Sequence, residues 1–417
     1  MEIKRDIYLN RLIRHEKNGL IKVITGIRRC GKSYLLFKLF HDYLLQKGVA
    51  EDHIIEVALD DRTNKELRNP DSMLNYLKGK ILDTQTYYII LDEVQMMDEF
   101  EDVLNSLLHI QNVDVYVTGS NSKFLSSDVV TEFRGRGDEI RVYPLSFSEY
   151  VSVYSGTLDD AWDDYCSYGG LPVIPSLNAT EDKVDYLISL FQKVYLSDIV
   201  ERNKVRNQGE LDELVDILAS AIGSLTNPLK LANTFKSVKK KNISDKTLKK
   251  YIDYLIDAFL VSKAVRYDIK GKHYIGALSK YYFEDIGLRN ARLNFRQIEE
   301  SHIMENIIYN HLRIHGYHVD VGLVEWYGKN SDYKTLKKQL EVDFVATKGS
   351  EKYYIQSAFE MNTQEKIQQE QRPLNYIGDS FKKIIVVKEN IKARRNDSGI
   401  VTIGVRNFLL DENSPNF

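Results

Sequence analysis

The chain has 417 residues, of which 43% are hydrophobic and 28% are charged, and its formal net charge is −3. This composition is typical of a soluble globular protein with two to three domains. No apolar run approaches the roughly 20 residues that span a bilayer, and the N-terminus lacks the apolar core of a signal peptide. Two cysteines are too few for a disulfide framework, and no Cys/His spacing resembles a zinc site. We therefore expect a cytoplasmic protein without a membrane partner, whose overall charge gives no case for nucleic acid.

The first informative segment is residues 21–33, which read IKVITGIRRCGKS and match the phosphate-loop pattern G-x-x-x-x-G-K-S/T at every fixed position. The two glycines let the backbone N–H groups turn inward toward phosphates. Lys32 is predicted to neutralise the β and γ phosphates, and the Ser33 hydroxyl to ligate Mg²⁺. The residues predicted to contact the nucleotide are Gly26, Ile27, Arg28, Arg29, Cys30, Gly31, Lys32, Ser33 and Tyr34.

Two carboxylates follow the next strongly apolar strand, which is predicted over residues 87–91. Asp92 is typical of the Walker B acid that holds Mg²⁺ through water. Glu93 is predicted to act as the general base that polarises the attacking water. The alternative is that both residues only begin a polar loop after a core strand, but the phosphate loop upstream favours the catalytic interpretation.

Strands and helices alternate through this part of the chain, which predicts a parallel three-layer α/β domain of the P-loop NTPase type. Further strands are predicted over residues 53–61, 113–118 and 139–143, and helices over residues 71–82 and 99–110.

Two polar residues between the strands 113–118 and 139–143 are candidates to assist hydrolysis. Asn121 lies just past strand 113–118, where a polar side chain can sense the γ phosphate, although a loop Asn also serves as a turn residue. Arg136, with Arg134 as second choice, is a candidate arginine finger directed at a neighbouring subunit's nucleotide. The alternative is an ordinary solvated arginine. A homo-oligomer is therefore possible, because an arginine finger acts on the nucleotide of a second subunit.

Five segments together resemble the prokaryotic AAA-type ATPases of the archaeal-ATPase-like branch: GIRRCGKS, LDEVQ, TGSN, YPLSFSEY and YGGLP. The Walker motifs are shared by many families, whereas the last two segments are specific to this one. The resemblance covers essentially the whole chain and implies ATP as the nucleotide. The motifs alone leave ATP or GTP open, although no guanine-reading N-K-x-D string occurs. It also implies a C-terminal domain of unknown function. The domains that it implies are a P-loop AAA-type core (1–144), a helical lid (145–205), a winged helix-turn-helix (206–290) and a restriction-endonuclease-like α/β domain (291–417).

The residues themselves support a winged helix, because three amphipathic helices and a β-hairpin are predicted between residues 210 and 276. The third helix of such a fold commonly enters a DNA major groove. The exposed third helix carries lysine without Arg, Asn or Gln, which favours phosphate contact over base reading. The alternatives are a solvated face or packing against a protein. The candidate DNA-binding residues are Lys239, Lys240, Lys241, Lys246, Lys249 and Lys250.

The C-terminal third resembles the αβββαβ core of restriction-endonuclease-like nucleases, whose acids hold Mg²⁺ and whose lysine acts on the attacking hydroxide. Glu305 lies on the first predicted helix and Asp343 on the second predicted strand. Gln356 stands where an acid is usual, and Ala358 where the lysine is required. We expect this site to be degenerate and nuclease activity to be absent or very weak.

These observations predict an ATPase that couples MgATP hydrolysis to a conformational change in its C-terminal half, with DNA as the favoured partner. The runner-up is a nucleotide-gated signalling or scaffold switch that hydrolyses slowly and binds a protein partner. A metal-dependent nuclease is the weakest interpretation because of Ala358. Salt-dependent binding of duplex DNA separates the first two.

Overall fold

A computed structural model describes residues 2–119, 135–329, 335–411 and 413–416. It consists of two compact units, Met1–Pro144 with Asp257–Phe259, and Leu145–Ile256 with Leu260–Phe417. Within these described ranges no helix is both long and apolar enough to cross a membrane.

The first unit is built on a five-stranded sheet in the order β2-β3-β4-β1-β5, and all neighbouring strands in it are parallel. Strands β1 to β4 are separated along the chain by helical segments, as parallel pairing requires. Strand β4 has the predicted bounds, whereas the other strands begin or end up to three residues from the predicted positions. The strands are β1 (Ile21–Thr25), β2 (Ile54–Ala58), β3 (Tyr87–Asp92), β4 (Val113–Thr118) and β5 (Gly137–Arg141).

Helices cover both faces of this sheet, which is why its three central strands, β3, β4 and β1, are almost wholly buried. Their apolar residues and the alternating strand residues form one core on the side of α3 and α4. On the opposite face the Phe40 ring lies 4.5 Å from the Tyr116 ring. The helices are α1 (Asp6–Arg14), α2 (Lys32–Tyr34, continued by the π-helical Leu35–Phe40 and by His41–Gln46), α3 (Pro70–Lys80) and α4 (Phe100–Leu107).

The second unit begins with helices and ends with a mixed α/β segment. One of its helices, α7, contains a π-helical stretch in its middle. The helices are α5 (Phe147–Val151), α6 (Leu158–Tyr168), α7 (Thr180–Leu190, Phe191–Leu196 and Ser197–Asn203), α8 (Gln208–Ser220), α9 (Pro228–Val238), α10 (Asp245–Asp257, whose last residue belongs to the first unit), α11 (Ile286–Arg292), α12 (Glu300–Ile314), α13 (Gln364–Asn375) and α14 (Val405–Leu410).

Eight strands of the second unit form one sheet in the order β12-β13-β11-β10-β9-β8-β6-β7. After α12 the chain forms three antiparallel strands, a helix and a parallel strand, which is the predicted αβββαβ order. The strands are β6 (Val261–Asp268), β7 (His273–Phe283), β8 (His318–Lys329), β9 (Thr335–Lys348), β10 (Glu351–Ala358), β11 (Lys382–Val387), β12 (Arg394–Arg395) and β13 (Val401–Gly404).

The β6–β7 hairpin is part of this sheet and also contacts the helices before it. Strand β6 pairs in parallel with β8, with Arg266 opposite Val321. Thr226, between α8 and α9, forms an antiparallel bridge with Ser279 of β7. The hairpin therefore connects the helices α8–α10 to the C-terminal strands through backbone hydrogen bonds.

The two segments that are specific to the resembled family, YPLSFSEY and YGGLP, have local structural roles. In YPLSFSEY, Ser146 and Glu149 form a capping box at the start of α5, with the Glu149 N–H donating to Ser146 Oγ at 3.2 Å. In YGGLP, the Gly170 N–H donates to the buried Asp285 carboxylate at 2.8 Å. The Asp285 side chain also caps α11 by accepting from the Leu288 N–H at 3.0 Å.

Candidate functional site

The phosphate loop joins β1 to α2 with a backbone that only small residues allow. Gly31 precedes α2 with φ at 98°, a left-handed conformation that glycine adopts without steric cost. At Gly26 a Cβ atom would lie 2.1 Å from the Val142 carbonyl oxygen, so any side chain there would force the loop off β5. The loop therefore depends on both glycines in the pattern.

Lys32 is held over the loop by backbone carbonyls. Its Nζ donates to the Gly26 oxygen at 3.0 Å and to the Ile27 oxygen at 3.1 Å, and the residue is only 4% exposed. Two of its three N–H groups are used in this way, so the ammonium is fixed at the loop with one donor remaining. The neutralisation of phosphate charge by Lys32 stays a prediction.

Ser33 and Asp92 come into direct contact, although they are 59 positions apart in the chain. Ser33 Oγ donates to Asp92 Oδ2 at 2.7 Å, and the Thr118 hydroxyl donates to the other carboxylate oxygen. Burial raises the pKa of Asp92, and the hydrogen bonds from Thr118 and Ser33 oppose that rise. A buried carboxylate beside a hydroxyl suits a hard divalent cation, because Mg²⁺ prefers oxygen ligands and keeps several positions for phosphate and water.

Thr118 is the residue of this site that the sequence analysis missed. It ends β4, which lies beside β3 in the sheet, and its Oγ1 also accepts the Glu93 N–H at 3.0 Å. One hydroxyl thus fixes both acidic residues. The signal available in the sequence was a lone Thr at the end of an apolar strand.

Glu93 follows β3 in a left-handed conformation with φ of 52°, and a short 3₁₀ turn, Val94–Met96, begins immediately after it. The Gln95 side-chain amide donates to Glu93 Oε2. Glu93 and Asp92 are therefore oriented separately, although they are adjacent in sequence.

The other nucleotide-site predictions have different outcomes. Asn121 and Arg134 lie outside the described residues. Arg136 is exposed, and its carbonyl accepts the Ile21 N–H at 2.9 Å, so the structure fixes its backbone beside β1. Cys30 is buried in the loop, with its thiol donating to the Val142 carbonyl at 3.4 Å.

The predicted DNA-binding lysines lie at the end of α9, in the turn after it and on the first half of α10, and all are exposed. Lys241 forms an ion pair with Glu213 at 2.7 Å. Lys250 lies over the Tyr254 ring. The remaining members of the set are Lys239, Lys240, Lys246 and Lys249.

The nuclease-like residues Glu305 and Asp343 are brought together by a lysine that the sequence analysis did not consider. Lys280 of β7 donates to Glu305 Oε1 at 2.8 Å and lies 3.1 Å from Asp343 Oδ1 and 2.7 Å from Glu341 Oε1. Its side chain is 3% exposed. Glu305 and Asp343 accept hydrogen bonds from the ammonium, and Glu341 forms an ion pair with it.

The electrostatics of this lysine cluster favour a charged lysine. Burial opposes the charge, but Asp343, Glu305 and Glu341 outweigh it and hold the pKa of Lys280 well above its usual value. Burial raises the pKa of Glu305 to about 7 against the lowering effect of Lys280. No group of three or more His, Cys, Asp or Glu side chains in the described ranges is arranged to hold a metal ion.

Gln356, the third predicted member, is on the strand next to Asp343. The Ser357 N–H donates to Asp343 Oδ2 at 2.9 Å, which fixes β10 beside that carboxylate. Gln356 is half-buried, and Ala358 is buried in the apolar core, so neither supplies charge.

Two protein families match consecutive parts of the chain. Residues 18–151 match the AAA domain family, and residues 159–299 match a domain of unknown function (DUF8612). The first match, with the parallel sheet, confirms the AAA-type assignment of the N-terminal part. The second shows that a domain of unknown function follows the AAA domain, and the winged-helix and nuclease-like assignments stay predictions.

The chain is also similar over most of its length to uncharacterized proteins from other organisms. An uncharacterized protein of Haemophilus influenzae is 34% identical over 98% of this chain and 98% of its own length. An uncharacterized protein of Methanocaldococcus jannaschii is 28% identical over 94% of this chain and 86% of its own length. Among solved structures, the Aeropyrum pernix ORC1 protein in complex with DNA matches 70% of this chain and 92% of that chain, with 12% identity and a TM-score of 0.31.

Proposed function

Because the chain belongs to the family of the Haemophilus influenzae protein and carries an AAA domain, we propose that it binds MgATP and hydrolyses it. The observation that supports this most directly is the 2.7 Å contact between Ser33 Oγ and Asp92 Oδ2 beside the fixed ammonium of Lys32. A phosphate-binding lysine and two oxygen ligands for Mg²⁺ meet there at one end of a parallel sheet, where α/β proteins bind their ligands.

Each residue has a defined part in the proposed reaction. The loop N–H groups and the N-terminus of α2 bind the phosphates, and Lys32 neutralises their charge. Ser33 and Asp92 would hold Mg²⁺, which supplies further charge neutralisation when bound. Glu93 takes a proton from the attacking water as general base.

The test is the substitution Glu93→Gln, which keeps the shape of the side chain and removes the base. We expect steady-state ATP turnover to fall by at least about 100-fold, with MgATP binding retained. Glu99→Gln is a matched control, because Glu99 is a nearby exposed glutamate that also has a left-handed backbone. Unchanged turnover in Glu93→Gln would show that Glu93 is not the base. Absence of heat with MgATP or MgGTP in calorimetry would refute nucleotide binding itself.

We further propose that helices α8–α10 and the β6–β7 hairpin form a winged helix-turn-helix that contacts DNA phosphates. Support comes from the exposed lysines on α10 and in the turn before it. Helix α10 carries no Arg, Asn or Gln. Phosphate contacts predict salt-dependent binding without marked sequence preference.

The DNA proposal is tested with the double substitution Lys246→Gln and Lys249→Gln. Because two phosphate contacts are lost, the plot of log association constant against log salt concentration should become less steep, its slope falling in magnitude by about 2. Lys78→Gln with Lys80→Gln, on α3, is the matched control, because those lysines are also exposed on a helix. If wild-type protein binds duplex DNA no better at low salt than at high salt, this proposal is wrong.

The second candidate, a nucleotide-gated switch that binds a protein partner, is favoured by one observation. Helix α9 exposes two apolar side chains, Leu229 at 61% and Val238 at 70%. Exposed apolar side chains can contribute to a protein-binding surface, whereas contact with phosphate makes no use of them. Under this candidate, Leu229→Lys would abolish partner binding without changing the salt dependence of any DNA binding.

A further inference from the structure

We propose that Arg5 is a positioning residue for phosphate binding, which orients the Gly31 N–H of the phosphate loop. The inference rests on the proposed binding of MgATP and adds to it a side chain that precedes the first helix. Arg5 is 2% exposed, and its guanidinium donates to the Cys30 carbonyl at 3.3 Å and to the Tyr143 carbonyl at 2.6 Å. One cation therefore joins the phosphate loop to the segment that follows β5.

The start of α1 fixes this guanidinium. Arg5 immediately precedes α1, and its carbonyl accepts the N–H groups of Tyr8 and Leu9, each at 2.9 Å. Its Cζ atom lies 4.7 Å from the centre of the Tyr8 ring, which is fully buried. A guanidinium is planar and rigid, so its position over the ring fixes the directions in which its N–H groups donate.

The segment after β5 is fixed by the same two side chains and by the loop. The Tyr143 N–H donates to the Tyr8 hydroxyl at 3.1 Å, so residues at the start of α1 bind both backbone groups of Tyr143. The Cys30 thiol donates to the neighbouring Val142 carbonyl at 3.4 Å. Cys30 is therefore held at two points, by its side chain on Val142 and by its carbonyl on Arg5.

The bond to the Cys30 carbonyl determines where the next N–H points. The Cys30 carbonyl and the Gly31 N–H belong to one peptide unit, and a trans peptide directs these two groups to opposite sides of the chain. A carbonyl that is bound to Arg5 therefore directs the Gly31 N–H away from Arg5. Gly31 itself has φ of 98° and is the residue type with the greatest backbone freedom, so a hydrogen bond from outside the loop is needed to restrict this unit.

The Gly31 N–H is one of the donors that a phosphate can use. Gly31 immediately precedes α2, and the first N–H groups of a helix have no partner within the helix. In a phosphate loop such N–H groups bind the α and β phosphates. A carbonyl that accepts a bond from a cation also polarises its peptide unit, which makes the N–H of that unit a stronger donor. Arg5 thus acts on the phosphates through the loop backbone.

The experiment compares Arg5→Met, which keeps an unbranched apolar stem and removes every donor, with Arg11→Met. Arg11 is the matched control, because it lies on α1 with its Cζ atom 5.8 Å from the centre of the same Tyr8 ring. Calorimetry measures the affinities for MgATP and MgADP, and chemical denaturation measures the stability of the ligand-free protein. We expect Arg5→Met to lose about 10-fold in both affinities, the effect of one charge-assisted hydrogen bond, and Arg11→Met to stay within about twofold of wild type.

Two further measurements separate a positioning role from a structural one. KM for ATP should rise by the same factor in Arg5→Met, with kcat changed less than about threefold, because the loop holds the phosphates in the ground state and the transition state alike. Arg5→Lys keeps the charge but lacks the planar fork that reaches two carbonyls, so we expect an intermediate loss of about threefold. A merely structural role would lower the stability of the ligand-free protein and leave the affinity of the folded fraction unchanged.

Several results would overturn the proposal. Equal affinities of wild type and Arg5→Met would show that the contact does not serve phosphate binding. A loss for MgATP alone would place the effect at the γ phosphate instead of the Gly31 N–H. If Arg5→Met does not fold, Arg5→Lys must show the threefold loss, and failure of both variants to fold would show that Arg5 serves folding only. These outcomes leave the ATPase proposal intact, because that proposal is tested on the wild-type protein and on Glu93→Gln.

Discussion

Thr118 shows how a single hydroxyl organises the acidic end of β3. It donates to Asp92 and accepts the Glu93 N–H at 3.0 Å, and it is fully buried. An uncharged side chain therefore determines where one carboxylate and the following backbone N–H lie. The proposed metal ligand and the proposed base therefore depend on the position of one buried hydroxyl.

Thr118→Val should weaken Mg²⁺-dependent ATP binding about 10-fold, because valine keeps the volume and leaves Asp92 without one of its donors. The hydrogen bond from Thr118 lowers the pKa of Asp92, so its loss should move the decline of affinity on acidification to higher pH. Calorimetry with MgATP across a pH series measures both effects. Thr84→Val, at an exposed position, is the control, and equal affinity in the two variants would contradict the prediction.

Asp285 acts at the scale of secondary-structure elements, because it joins the loop after α6 to the start of α11. Its two oxygens accept backbone N–H groups from Gly170 and Leu288, and the residue is 2% exposed. Burial nevertheless raises its pKa to about 6. The folded protein thus favours the neutral form more than the unfolded chain does.

The pH dependence of stability follows from that shift. Between about pH 4 and pH 6 Asp285 is protonated more in the native state than in the unfolded state. Its contribution to the free energy of unfolding is therefore largest at the acidic end of this range and falls as pH rises. The span corresponds to about 3 kcal/mol for this group. Asp285→Asn should remove this part of the pH dependence, measured as urea midpoints from pH 4 to 7. A midpoint difference between wild type and variant that stays constant with pH would contradict it.

Lys280 acts at the scale of the whole second unit, since it joins β7 to α12 and β9 through three carboxylates. Its ammonium donates to Glu305 and Asp343 and forms an ion pair with Glu341, so three negative charges surround the one positive charge. The charge that a nuclease would obtain from a metal ion is supplied here by the ammonium. This supports the expectation that the nuclease-like segment is inactive.

Lys280→Met should lower the free energy of unfolding by about 3–5 kcal/mol, because it leaves buried carboxylates without their counter-charge. Lys263→Met on the same hairpin, where the lysine is exposed, should have little effect. Chemical denaturation measures both. Plasmid incubated with Mg²⁺ and wild-type protein should stay intact. Cleavage that is lost in Asp343→Ala would show that the cluster is a working nuclease site.

Much of the nucleotide site could be predicted because its signal is local. Gly26, Gly31, Lys32 and Ser33 lie within one turn, and Asp92 ends a strand that is apolar throughout. Thr118 and Lys280 could not be predicted in this way, because their partners are determined by strand order and by contacts 25 to 63 residues apart. The sequence predicts a hairpin that ends by residue 276, whereas its second strand, β7, runs to Phe283. Ser279 and Lys280 interrupt the apolar pattern of the sequence, but their backbones pair with β6.

The pairing of β6 with β8 has a practical consequence for anyone dividing this chain into fragments. A fragment that ends at residue 290 would keep β6 and β7 but lose β8, the strand that pairs with the other edge of β6. The backbone groups along that edge of β6 would then have no partner strand. Such an edge invites pairing with other chains and hence aggregation. Expression of the second half as a single piece, without a cut between the hairpin and the C-terminal strands, avoids creating it.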